Sequence, residues 1–270
     1  MHIRLFFILI LLIAHNQFAQ SFNWIKIANG VQYSYYDNQD GNNLFVVIGG
    51  WKAKQEWVNR WCEELYNQKV KLLGVKHLFS VKGPEDVCNN GKEINLNKLA
   101  EYIKNIIYAT YFVDKVIIVA HSSGSFVANE LLNILYGKTG IARDSFYVNK
   151  VHYFNLDGGI GGDDCGESLE SDVINSIVKI YTVSAYDSVS NMYSSNYETM
   201  KQLSEKYGDK SEMIVVDATN SGCTDKWCLH DVLIINKPHN PDKYDLERDY
   251  TLFDEQRRVQ TEYLKILISE

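Results

Sequence analysis

Apolar residues in this chain fall into two recurring patterns: short β-prone runs, and longer stretches in which they return every three or four positions. Residues 44–48 (LFVVI) and 115–120 are of the first kind and read as buried strands, and 151–156 reads as a strand. Residues 72–81, 177–184 and 213–216 add further strand-like runs. Residues 53–70 carry Trp57, Trp61, Leu65 and Tyr66 at helical spacing, and residues 96–108 and 126–136 repeat that spacing. A last amphipathic helix is expected over 255–268. Near the start, residues 22–27 and 31–36 flank Asn29-Gly30, a turn dipeptide that predicts a β-hairpin.

Strands alternating with helices predict an α/β fold. Its sheet should be mostly parallel with helices on both faces, and the hairpin should add antiparallel strands at one edge. Only three prolines occur, and no Ser/Gly-rich linker, repeat or low-complexity tract divides the chain. One domain over 20–270 is therefore expected. Residues 1–19 are set apart: a basic start (Met1–Arg4), the apolar run LFFILILLIA, and Ala19 after Gln17-Phe18. Ten apolar residues are too few to span a bilayer, which takes about 20. The pattern is that of a cleaved signal peptide, giving a secreted or periplasmic protein with no stable membrane insertion once the leader is removed.

Hydrophobic residues make up 46% and charged residues 23%, an ordinary globular balance. The net charge of −7 argues against nucleic acid as a partner, since phosphate binding needs clustered Lys and Arg. In an oxidising compartment the five cysteines can pair, and no C-x-x-C metal spacing is present. Cys223 and Cys228 suit a local disulfide. Cys62 with Cys88 is a second candidate pair, worth roughly 3–4 kcal/mol by chain entropy, with Cys165 left over. Buried free thiols are the alternative.

The most informative stretch is Val116-Ile117-Ile118-Val119-Ala120-His121-Ser122-Ser123-Gly124-Ser125. A β-branched strand runs into small-X-Ser-X-Gly and then into the apolar helix predicted over 126–136. A serine in so tight a strand-to-helix turn projects its hydroxyl above the sheet, and the small flanking residues let the two backbones approach. Ser122 or Ser123 could otherwise serve as a helix N-cap. By these residues the chain resembles the α/β-hydrolase superfamily, with Ala120 in place of the usual first glycine.

That resemblance implies a triad in the chain order Ser, acid, His, with Ser122 as nucleophile. His2 and His15 fall in the leader, His77 and His121 precede Ser122, and His152 precedes any suitable acid. Of the two that remain, His239 sits between Pro238 and Pro241 in a turn-like segment, so His230 is the expected base. Asp187, just after strand 177–184, is the expected acid. Asp157, just after strand 151–156, is the alternative. The oxyanion hole is expected from the N–H of Ser123 with that of Gly50 or Trp51, each donor contributing about 3 kcal/mol to transition-state binding. The implied activity is esterase- or lipase-like hydrolysis of small-molecule or lipid carboxylic esters, with no cofactor. Peptide, thioester or polyester cleavage and a non-catalytic binding module are the rivals. The glycine-rich segment 157–164 lacks calcium-loop spacing, so no metal is expected there. Trp51 is the aromatic expected at a substrate pocket.

Overall fold

The run Asn43–Ile48 forms β3, buried at all six positions, because parallel strands flank it and helices cover both of its faces. A computed structural model describes residues 22–37, 41–88, 90–109, 113–143, 150–159, 161, 165–234 and 259–268. The expected leader over 1–19, the turn expected around His239 and Asp163–Asp164 lie outside the described residues. The other strands are β1 (Ile25–Ala28), β2 (Val31–Tyr35), β4 (Val75–Val81), β5 (Val116–His121), β6 (Val151–Leu156), β7 (Lys179–Asp187), β8 (Met192–Tyr193) and β9 (Ser211–Asp217). They make one sheet in the order β1-β2-β4-β3-β5-β6-β7-β8, with β9 also paired to β7. The pairs from β4 through β7, and β7 with β9, are parallel. The hairpin β1–β2 is antiparallel, as its turn residues predict, and joins β4 through β2, which leaves β1 at the sheet edge.

The helices are α1 (Gln55–Gln68), α2 (Leu96–Ala109), α3 (Gly124–Tyr136), α4 (Ser171–Ser176), α5 (Tyr197–Tyr207) and α6 (Lys226–Asp231). The pleat sends alternate residues of each central strand to opposite faces. Leu44, Val46 and Ile48 join Ile118 and Ala120 against Leu99 and Ile103 of α2 and Val127 and Leu131 of α3. Phe45 and Val47 join Ile117 and Val119 against Val58, Trp61 and Leu65 of α1, and against Leu229 of α6. Helices thus cover both faces. A residue such as Leu131, fully buried, would cost about 2–5 kcal/mol if cut to alanine.

Two expectations are corrected. Cys62 does not pair with Cys88: it lies on the buried face of α1 with a free thiol, whereas Cys88 sits in the exposed loop after β4 and bonds Cys165. That bridge closes a 77-residue separation, worth about 4.5 kcal/mol by chain entropy. Cys223 and Cys228 are bonded as expected. The closing helix is the second correction. Its described part is mainly the 3₁₀ segment Glu262–Leu267, docked by Tyr263, Leu264 and Leu267, the tighter winding that short terminal segments adopt. Residues 255–258 lie outside the described residues.

Candidate active site

Ser122 follows β5 with φ 53°, left-handed backbone that a serine occupies only when its surroundings impose it. Its N–H donates to the carbonyl of Leu156 (3.0 Å), and its own carbonyl accepts from Ser125 N–H (3.0 Å), opening α3. The glycine of the motif is required by packing. A Cβ on Gly124 would stand 2.4 Å from the carbonyl oxygen of Gly49, so only glycine lets α3 start this close to the end of β3.

Gly50 presses on the same turn from the other side: a Cβ there would lie 3.1 Å from both Ser122 Cβ and His121 Nδ1. Its carbonyl accepts from Ala53 N–H (3.0 Å), tightening the turn 50–53. Among the described residues, no turn or loop hydrogen bond uses the N–H of Gly50, Trp51 or Ser123. Trp51 stands exposed, its indole N–H donating to the Glu85 carbonyl (3.1 Å).

His230 comes from α6, whose sequence explains its fixed place. The carboxylate of Asp225 accepts from the N–H groups of Trp227 (2.8 Å) and Cys228 (2.9 Å), an N-cap of the usual kind. The Cys223–Cys228 bridge closes the segment leading into the helix. His230 Nδ1 lies 2.7 Å from Asp157 Oδ2, and both side chains are buried. A carboxylate can only accept, so Nδ1 carries a proton and Nε2 is the nitrogen left for proton transfer.

Asp157 directly follows β6, with φ 45°. Its Oδ1 accepts from Ser194 Oγ (2.6 Å) and Ser184 Oγ (3.1 Å), and its Oδ2 from Asn196 N–H (3.2 Å) and Ser195 Oγ (3.3 Å). Burial alone would raise this carboxyl's pKa. The hydrogen bond and charge of His230, together with Ser194 and Asn196, outweigh burial and hold it below the usual carboxylate value.

Asp187, the acid expected from strand order, ends β7 and is buried, but its Oδ1 accepts from Val189 N–H (2.8 Å) and Ser190 N–H (3.3 Å) of its own loop. The structure brings Asp157, not Asp187, to His230. The reason is local: a carboxylate capping its own turn is not turned toward a neighbouring helix.

Sequence order sets His121 aside, yet the fold places it in the site. Its ring is buried 4.4 Å from that of His230, and its Nε2 lies 3.1 Å from the His230 carbonyl. Burial, and next the neighbouring His230, push its pKa down to about 3, so the ring is neutral. The carbonyl can only accept, so Nε2–H donates and Nδ1 is bare. Through this contact, and through Ser122 N–H on Leu156 beside Asp157, the Ser122 turn, His230 and Asp157 are linked. The one sequence sign of His121 was its position next to Ser122. Nothing marked Ser194, Ser195 and Asn196.

No protein-family model matches the chain, and no curated protein sequence matches it. Solved structures do. Esterase B from Lactobacillus rhamnosis, solved with a tributyrin phosphonate inhibitor, is 12% identical over 93% of this chain and 86% of its own, with a TM-score of 0.54. An esterase from Pyrobaculum calidifontis is 14% identical over 97% and 89%, at 0.53. Carboxyl esterase 2 from the fungus Tuber melanosporum is 9% identical over 76% and 78%, at 0.51. At such identities the likeness speaks for the fold, and that fold is the α/β-hydrolase fold.

Proposed function

We propose that this α/β-hydrolase-fold chain is a secreted serine hydrolase of carboxylic esters, with Ser122 as nucleophile, His230 as general base and Asp157 as the acid that orients it. The observation that carries this reading is the buried 2.7 Å contact of Asp157 with His230 Nδ1, on a helix that touches the residue before Ser122. In this scheme Ser122 Oγ attacks the ester carbonyl while His230 Nε2 takes its proton. The oxyanion receives the N–H of Ser123 and one from Gly50 or Trp51, none of which is used in the turn and loop hydrogen bonds. His230 then returns the proton to the leaving alkoxide, and water cleaves the acyl-enzyme by the same route in reverse. Asp157 stays ionised, holds the imidazole in the Nδ1–H form and stabilises the imidazolium.

Trp51 and Trp227 are both exposed beside this centre. Trp51 adjoins Gly50, and the ring of Trp227 stands edge-on to His230 at 5.6 Å. Two aromatic walls favour an apolar acyl or alcohol group over a charged one. Export rests on the leader pattern of residues 1–19 and is supported by two disulfides. No helix among the described residues is long and apolar enough to cross a membrane.

The test is hydrolysis of p-nitrophenyl esters from acetate to palmitate by the purified protein. Turnover that falls to background in Ser122→Ala supports the reading. An inactive wild type across the series, or an unaffected Ser122→Ala, overturns it.

A further inference from the structure

We infer that His121, His230 and Asp231 form a Zn²⁺ site whose occupation switches off the serine chemistry proposed above, on which the inhibitory part of the inference rests. One ligand atom from each residue lies within 4.8 Å of the other two, and all three residues are buried. Two imidazoles and a carboxylate are donors that zinc prefers, at about 2.0–2.2 Å each.

The bonding of the two rings supports the assignment. His230 Nδ1 is held by Asp157, which leaves Nε2 as the only nitrogen able to bind a metal. His121 Nε2–H is held by the His230 carbonyl, which leaves Nδ1. Metal-bound histidines almost always have the second ring nitrogen fixed in this way by a carboxylate or a backbone carbonyl, which sets tautomer and ring orientation. Here each ring has one of the two. The ring centroids stand 4.4 Å apart, with the planes tilted by 46°. Gly50 places no side chain beside His121 Nδ1.

Charge also balances. Asp231 in the coordination sphere and Asp157 behind His230 supply two negative charges against the two positive charges of the ion. Tetrahedral zinc donors lie about 3.3 Å apart, so binding requires the two rings to turn their bare nitrogens onto the ion, and Asp231 exchanges an existing contact for the metal. The fourth position is left for water. A zinc ion on His230 Nε2 occupies the lone pair that would take the Ser122 proton, so metal and proton transfer exclude each other. Binding is reversible, and no bond to carbon or oxygen of the substrate is formed or broken.

The experiment uses the full mature chain, stripped with EDTA and then freed of it. Calorimetry with Zn²⁺ should show one site, and Zn²⁺ should block fluorophosphonate labelling of Ser122 until EDTA restores it. Asp231→Asn should label normally without metal yet bind Zn²⁺ at least tenfold more weakly, and His121→Gln should weaken binding likewise. Should Asp231→Asn fail to fold, Co²⁺ added to the wild type decides: the intense visible bands of tetrahedral Co²⁺ support the site, and octahedral-type weak bands overturn it. No one-to-one Zn²⁺ binding, or binding unchanged in both variants, also overturns it. Stoichiometric Zn²⁺ binding to a protein that never labels upholds the metal site and rejects only the serine hydrolase reading.

Discussion

Asp157 and Asp187 stand at the ends of the neighbouring parallel strands β6 and β7, and both are buried. Strand position and burial therefore do not separate them. Their partners do. Asp157 collects hydroxyls from Ser184, Ser194 and Ser195, the N–H of Asn196 and the imidazole of His230. Asp187 accepts from the two N–H groups that close its own turn, Val189 and Ser190. A carboxylate becomes available to a distant base where its backbone turns away from its own loop, as at Asp157 with φ 45°. The donors that keep it ionised must then come from elsewhere. The segment 194–196 after β8 supplies them, so α/β topology alone does not choose the acid.

The strongest way to break this comparison is to exchange the two carboxylates for amides. Asp157→Asn should lower kcat by about 10⁴-fold, because the amide favours the wrong tautomer of His230. Asp187→Asn should leave kcat close to wild type. The opposite ranking would return the triad acid to β7. A smaller effect sharpens the contrast through His121. His121→Phe keeps the ring against His230 but removes its N–H and strands a buried carbonyl, at about 1–2 kcal/mol. The expected outcome is roughly a tenfold loss of kcat with KM little changed, partly recovered in His121→Gln.

Acid unfolding separates the same two residues. The Asp157 carboxyl is held below its usual value in the folded protein. Its contribution is therefore complete above the unfolded value of about 3.9 and is lost as pH falls through the folded pKa. Urea midpoints measured from pH 6 down to pH 2 should fall more steeply for wild type than for Asp157→Asn. The smallest effect is expected from Asp187→Asn at neutral pH. Weakening one turn should cost about 1 kcal/mol, read as a shift in urea midpoint at constant slope.

The sheet was legible because β3 and β5 are buried on both faces and read as apolar or β-branched runs. The elbow was legible because its steric demands are local: Gly124 against Gly49 and a strained Ser122 between strand and helix. His230 was singled out by chain order, and its helix cap and disulfide are close by in sequence. Helix α5 was missed because only Met200, Leu203 and Tyr207 mark its buried face among charged neighbours. The Cys88–Cys165 bridge and the pairing of Asp157 with His230 depend on parts of the chain far apart in sequence, as with Asp157 and Ser194. No pattern along the chain encodes such meetings, because loop packing decides them.

The central claim, that Ser122, His230 and Asp157 act as one unit, is tested most directly by fluorophosphonate labelling followed by peptide mass spectrometry. A single adduct on the Ser122 peptide is predicted, formed at the wild-type rate in Asp187→Asn and orders of magnitude more slowly in Asp157→Asn and His230→Ala. No adduct on the wild type, an adduct on another residue, or equal rates for the two aspartate variants would contradict it.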